Sequence, residues 1–278
     1  MEHKISLALR VTNWCNLNCR HCCTVSGPSV RPNFMPRENI RKYIEDFLRT
    51  DYPKWQYNVV FTGGETFASY YHGDFNYIKY CIDTACTYGM APSFKTNGLF
   101  GGDERLRSQI IMDLAYMAHK HQTPMMLDIS IDEFHPNRIE RLNIVTDIMK
   151  NKYTAAAIKM SFVGLNTFES RQLFVCFLTD LQRYGFMVVP HRNKTVTIAR
   201  GDICVEMLYE FDAPLTRAGR AIQNNLGDVN LNGKPDPEAG HCLEITNYDT
   251  AILNYTHSTS LRNKTLSQAI EHLIQKTI

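Results

Sequence analysis

Ile5-Ser-Leu-Ala-Leu-Arg-Val11-Thr-Asn-Trp-Cys15-Asn-Leu-Asn-Cys19-Arg-His-Cys22 joins an apolar run to three cysteines in the spacing C-x3-C-x2-C. Ile5 to Val11 predicts a β-strand, so the cysteines fall in the loop that leaves its C-terminal end. Parallel α/β architectures build their sites at that end of their strands. Three thiolates hold a four-iron four-sulfur cluster and leave one iron open, whereas closed structural sites supply four. The open iron predicts a bound substrate or cofactor.

Outward from this loop, short β-rich runs alternate with helical patterns. From Pro36, a good first-turn residue, Ile40, Tyr43, Ile44, Phe47 and Leu48 share one helix face. Tyr57 to Thr62 reads as a second strand, ending in Gly63-Gly64-Glu65, and Phe75 to Tyr88 as a helix. Ser93 to Thr96 is a short third strand closed by Asn97-Gly98; Asp103 caps a helix whose face carries Leu106, Ile110, Leu114 and Met117. Met125 to Ile131 is the fourth strand, followed by a helix over 138–151. Ala156 to Val163 is the fifth strand, Phe168 to Tyr184 the fifth helix and Phe186 to Val189 the sixth strand.

Repeated βα steps predict an α/β fold with a parallel sheet. Periodicity does not separate a doubly wound sheet from a barrel. Cys15 to Cys22, Gly63 to Glu65, Thr96 to Asn97 and Ser130 to Asp132, at four strand ends, favour a curved sheet, hence a partial TIM barrel, (β/α)6, over residues 1–190. Residues 191–278 are expected to form a small α+β appendage. It would hold a hairpin of Thr195 to Ala199 with Ile203 to Leu208, a polar loop over 224–240 and a second hairpin of Leu243 to Ile245 with Ala251 to Tyr255. Thr265-Leu-Ser-Gln268 is a capping box that opens the last helix.

The 278 residues carry a net charge of +2 without a basic run, which gives no reason to expect nucleic acid or an anionic membrane as partner. No signal segment and no membrane-length apolar stretch is visible, so the expectation is a cytoplasmic protein. Nine cysteines without a secretory signal argue against a disulfide framework. Cys23, Cys81, Cys86, Cys176, Cys204 and Cys242 are expected to be mostly small buried hydrophobes.

The cysteine loop resembles the signature of the radical S-adenosylmethionine (radical SAM) superfamily, with Asn16-Leu17 and Arg20-His21 filling the gaps as they often do there. Gly63-Gly64-Glu65 is similar to the family's motif that meets the methionyl amino group, although Thr66 stands where proline is usual. Glycines let backbone approach a ligand, and Glu65 can accept from an ammonium. Thr96-Asn97-Gly98 also resembles the family pattern. The resemblance implies that His21 lies by the adenine and that Ser130 and Asp132 reach the ribose and carboxylate. Arg138 or Arg141 would stand on the carboxylate, and spacing does not choose between them.

The resemblance further implies one 4Fe-4S cluster on Cys15, Cys19 and Cys22 and an electron donor such as flavodoxin or ferredoxin. Cleavage of S-adenosylmethionine would give a 5'-deoxyadenosyl radical that takes hydrogen from a small metabolite or a peptide. His135 and Glu133 are candidate catalytic residues. Arg217-Ala-Gly-Arg-Ala221 followed by His241-Cys242 is similar to a shortened SPASM or twitch extension, and no cysteine follows Cys242 to complete a second cluster.

Other readings remain. A C-x2-C pair with His21 or Cys23 is a possible zinc site, yet such sites usually need a second distant pair. The alternative function is a non-catalytic cluster- or zinc-binding interaction protein on a barrel scaffold. Asp228 to Asp236 imitates a calcium loop, but Ala239 occupies the position of the bidentate acid, which favours a plain polar loop.

Overall fold

A computed structural model describes residues 5–213, 241–246, 250–253 and 257–276. The 224–240 loop, with its calcium-like stretch, and Arg217-Ala-Gly-Arg-Ala221 lie outside them, as does the side chain of Cys242. The chain is mixed α/β and divides into two compact units, residues 1–93 with 216–278, and residues 94–215.

In the first unit β1 (Ile5–Thr12) runs parallel to β2 (Lys54–Gly63) on one side and to β9 (His241–Ile245) on the other. Odd-numbered Ile5, Leu7, Leu9 and Val11 are all fully buried, while Ser6 and Arg10 take the opposite, polar face. This alternation sets the register of β1. β9 continues antiparallel into β10 (Thr250–Leu253) and β11 (His257–Ser260). The expected second hairpin therefore forms, and it also extends the sheet through β1.

α1 (Arg37–Leu48) buries Ile40, Tyr43, Ile44 and Phe47, the face expected from their spacing. α2 (Ala68–Tyr71) and α3 (Tyr77–Thr87) follow β2. The last helix, α8 (Leu266–Gln275), begins with the expected capping box: Thr265 Oγ1 accepts from the Gln268 N–H, and Gln268 Oε1 from the Thr265 N–H. It buries Leu266, Ala269, Ile270, Leu273 and Ile274. Each of the larger side chains contributes about 1.5–3 kcal/mol of burial.

β3 (Ala91–Thr96) crosses the division between the units. In the second unit Asp103 caps α4 (Glu104–His121), accepting from the Leu106 N–H. β4 (Met125–Ser130), α5 (Arg138–Ile148), the short α6 (Lys152–Ala157), β5 (Ile158–Leu165) and α7 (Phe168–Arg183) then alternate, and β4 and β5 are parallel.

The sixth strand differs from the expectation. β6 (Met187–Pro190) is antiparallel to β7 (Thr195–Arg200), and β7 to β8 (Ile203–Ala213). The parallel neighbour of β5 is β8. The cause is connection length: residues 191–194 and 201–202 are too few for a parallel crossover, so β6, β7 and β8 fold back on one another, and β8, with Met207 and Phe211 buried, lies beside β5. The expected β7–β8 hairpin is present, but it belongs to the main sheet of its unit. Among the described residues no helix is long and apolar enough to cross a membrane.

Candidate functional site

The first unit gathers the cysteine loop and the Gly63-Gly64-Glu65 turn. β1 and β2 end together, with Thr12 opposite Gly63. Beyond that pair the Gly64 N–H donates to the Thr12 carbonyl (3.0 Å) and the Glu65 N–H to the Trp14 carbonyl (2.8 Å). Both bonds place the turn against the stem of the loop. The approach leaves no room for side chains: a Cβ on Gly64 would lie 1.9 Å from the Trp14 carbonyl oxygen, and one on Gly63 2.2 Å from that of Thr12. Gly63 also has φ +141°, which L side chains rarely adopt.

Cys15 is buried, and Cys19 and Cys22 are half-buried; none of the three is in a disulfide. The Leu17 N–H points at Cys15 Sγ (3.4 Å), the Cys22 N–H donates to the Cys19 carbonyl (3.2 Å), and the Thr24 hydroxyl lies 3.2 Å from Cys22 Sγ. Burial pushes the Cys15 thiol up to about 12, and the charges of Glu65, Cys19 and Cys22 add to the rise. The rise keeps Cys15 a neutral thiol unless a cationic centre accepts its sulfur. Three sulfur donors on one loop, one of them buried, are the kind of donor set that thiolate-bound metal centres use.

Neighbouring side chains brace the loop. Asn16 Nδ2 donates to the Tyr71 hydroxyl (3.0 Å), and the Trp14 ring meets those of Tyr71 and His72 with centroids 5.6 and 4.7 Å apart. The Met35 N–H closes the far end on the Val11 carbonyl (2.8 Å), and the Tyr77 hydroxyl donates to the Met35 carbonyl (2.7 Å). His21 is half-buried within the loop. Glu65 is buried and its Oε1 accepts from the Phe67 N–H (3.2 Å). Thr66 is buried too, its hydroxyl on the Phe61 carbonyl (3.3 Å), so threonine anchors the turn where the family pattern has proline.

The second unit holds the remaining candidates. The Thr96 hydroxyl accepts from the Gly98 N–H (3.0 Å) and Asn97 Oδ1 from the Leu99 N–H (2.9 Å), which shapes the turn after β3. Asp132 Oδ1 accepts from the Phe134 N–H (2.9 Å) and lies 2.8 Å from His135 Nδ1. Glu133 Oε2 accepts from the hydroxyls of Thr167 (3.0 Å) and Ser170 (2.6 Å), at the N-terminus of α7.

The two arginines left open by spacing now part. Arg141 is fully buried and donates to the carbonyls of Ser130 (2.6 Å), Asn97 (2.9 Å) and Asn137. Burial holds its guanidinium below the usual range, at about 10. It ties the ends of β3 and β4 together. Arg138 is half-exposed and faces Asp180 at 3.5 Å.

Sequence reasoning missed Thr24, Trp14 and the role of Arg141, and took Tyr71 only as an aromatic that lines a pocket or the core. Thr24 sits two residues past Cys22, where a hydroxyl close to the third cysteine was a readable signal; the contacts of Tyr71 with Asn16 and of Arg141 with Asn97 span long sequence separations and left none. The cysteines outside the triplet also divide unevenly. Cys81 is buried, Cys23 and Cys86 are half-buried, and Cys176 and Cys204 are exposed.

No family model and no curated protein matches the chain. Among solved structures, the chain is similar to Streptococcus suis SuiB in the crystal structure of its S-adenosylmethionine-bound form. The two share 11% sequence identity with a TM-score of 0.48, over 96% of this chain and 65% of that one. The chain thus spans just under two thirds of SuiB's length.

Proposed function

We propose that this chain is a radical SAM enzyme whose single 4Fe-4S cluster is held by Cys15, Cys19 and Cys22. The observation that carries the reading is the stitching of the three-thiol loop to Gly63-Gly64-Glu65 by two backbone hydrogen bonds, with no space for a Cβ at either glycine. When bound, the cluster and S-adenosylmethionine supply reductive cleavage to a 5'-deoxyadenosyl radical, which removes hydrogen from a substrate. The chain's own residues bind, orient and shield.

In this reading Gly63 and Gly64 bring bare backbone to the cofactor's methionyl end and the Glu65 carboxylate accepts from its ammonium. Burial of Glu65 strengthens that attraction by excluding water. On the sequence resemblance His21 is assigned to the adenine and Thr96, Asn97, Ser130 and Asp132 to the same cofactor; of Arg138 and Arg141, which the resemblance left open, Arg141 is committed to three carbonyls, so Arg138 is assigned to the carboxylate. Arg141 supports the strand ends that carry them. His135, its Nδ1 proton held by Asp132, would exchange a proton at Nε2. The substrate is a small metabolite or a peptide, and a low-potential one-electron donor such as flavodoxin or ferredoxin serves the cluster. A partial barrel is the scaffold this chemistry calls for.

Glu65→Gln tests the assignment. The variant keeps the shape of the turn and removes the charge, so the reconstituted protein should retain its iron while S-adenosylmethionine binds about tenfold or more weakly in calorimetry. Unchanged affinity at full iron content would remove Glu65 from the site.

A further inference from the structure

β4, β5 and β8 lie side by side and parallel, and their side chains divide between two faces. Ile129, Phe162, Met207 and Phe211 take one face and are buried; Phe162 and Phe211 meet Phe174 of α7 there, with ring centroids 5.9 and 5.2 Å apart. The register sets out the other face in rows. Asp128, Ser161 and Leu208 are level, and Ser130, Val163 and Glu210 form the next row toward the strand C-termini. Lys159 and Glu206 stand one row the other way. Parallel strands are normally covered on both faces and apolar on both. This face is neither: Lys159, Glu206, Leu208 and Glu210 are exposed, and among the described residues the side chains of Lys159, Glu206 and Glu210 make no hydrogen bond or ion pair.

A second observation lies at the floor of this face. Ser161 is only 4% exposed, yet its hydroxyl has no hydrogen-bond partner among the described residues. A hydroxyl that deep is normally bonded, and the register aims this one into the charged face. The charge there is unequal: the carboxylates of Asp128, Glu206 and Glu210 stand against the single ammonium of Lys159. Lys159 is level with Glu206, whereas Glu210 lies two rows away, roughly 13 Å along the strand. We propose that this face receives the substrate and selects an alkylammonium or guanidinium group. Its charge rests on Glu210 and Asp128, one of its N–H groups donates to Ser161 Oγ, and its aliphatic stem lies on Val163 and Leu208. The proposal deepens the radical SAM reading, on which it rests for the chemistry that follows binding; in that reading Ser130, in the row of Glu210, meets the cofactor. A basic side chain of a peptide and a free small amine share this chemistry.

The test is a ligand-observed NMR titration of the full chain, with and without its reconstituted cluster. The probes are a blocked peptide of alanines around a central lysine, the same peptide with norleucine in place of lysine, n-pentylamine and n-pentanol. At least one charged probe should bind about tenfold or more tightly than its neutral counterpart. Glu210→Gln, at an exposed position where folding is not at stake, should cut that preference to about threefold or less, and Glu104→Gln, an exposed acid at the start of α4, should leave it intact. Charged probes that bind no better than neutral ones, or a preference that survives Glu210→Gln, overturn the proposal. If n-pentylamine matches the lysine peptide the source is a small amine; if only the peptide binds, it is a peptide. The two readings fail separately. Selective binding by a chain that assembles no cluster refutes the cluster assignment alone, and cleavage of S-adenosylmethionine without selectivity refutes this inference alone.

Discussion

Replacing Cys15, Cys19 and Cys22 together by alanine is expected to remove all iron and sulfide from the anaerobically reconstituted protein, and with them all cleavage of S-adenosylmethionine. With the three thiolates gone, Cys23 and His21 are the soft donors left in the loop, and two ligands do not hold a four-iron cluster. The fold should survive. The loop is held by backbone bonds from Gly64 and Glu65 and by the Trp14, Tyr71 and His72 rings, none of which involves a thiol. Far-UV circular dichroism of the triple variant should match the apoprotein. Iron and sulfide retained by a folded triple variant would expose a second cluster site and end the single-cluster assignment.

Arg141→Ala is expected to give the largest loss of stability among the candidate residues, about 3–5 kcal/mol. The substitution strips donors from the carbonyls of Ser130, Asn97 and Asn137 and leaves a cavity in place of a fully buried side chain. For a cooperative unit of this size the melting midpoint should fall by roughly 10 °C or more. Arg141→Lys keeps the charge but not the planar fork, and should recover only part of the loss. A midpoint within about 2 °C of wild type for Arg141→Ala would show that those carbonyls find other partners, and that Arg141 does not hold the strand ends.

Much of the parallel α/β core was legible because it depends on local pattern. The buried odd positions of β1, the helix face Ile40, Tyr43, Ile44 and Phe47, the Asp103 cap and the Thr265 capping box all form as their spacing predicts. What escaped was pairing between distant segments. Phe186 to Val189 reads as one more β-run; only the pairing of distant segments puts β8 in the place beside β5. Likewise the His241–Ile245 strand reads as half of a hairpin, and nothing in its five residues announces β1 as its second partner.

The candidate site was legible to the same extent. Cysteine spacing and paired glycines are local signals, and the 1.9 Å approach at Gly64 gives the glycine a steric reason that sequence could only suggest. Arg138 and Arg141 were equivalent by spacing. They differ only in what surrounds them, three carbonyls for one and a half-exposed Asp180 contact for the other. Ser161 and Glu210 sit far apart in the chain, and their nearness exists only through the β5–β8 register.

The most direct measurement of the central claim is anaerobic reconstitution of the wild-type chain followed by reduction with dithionite in the presence of S-adenosylmethionine. The account predicts about four irons and four sulfides per chain, and release of 5'-deoxyadenosine and methionine. A protein that takes up zinc in place of iron and forms no 5'-deoxyadenosine would contradict it.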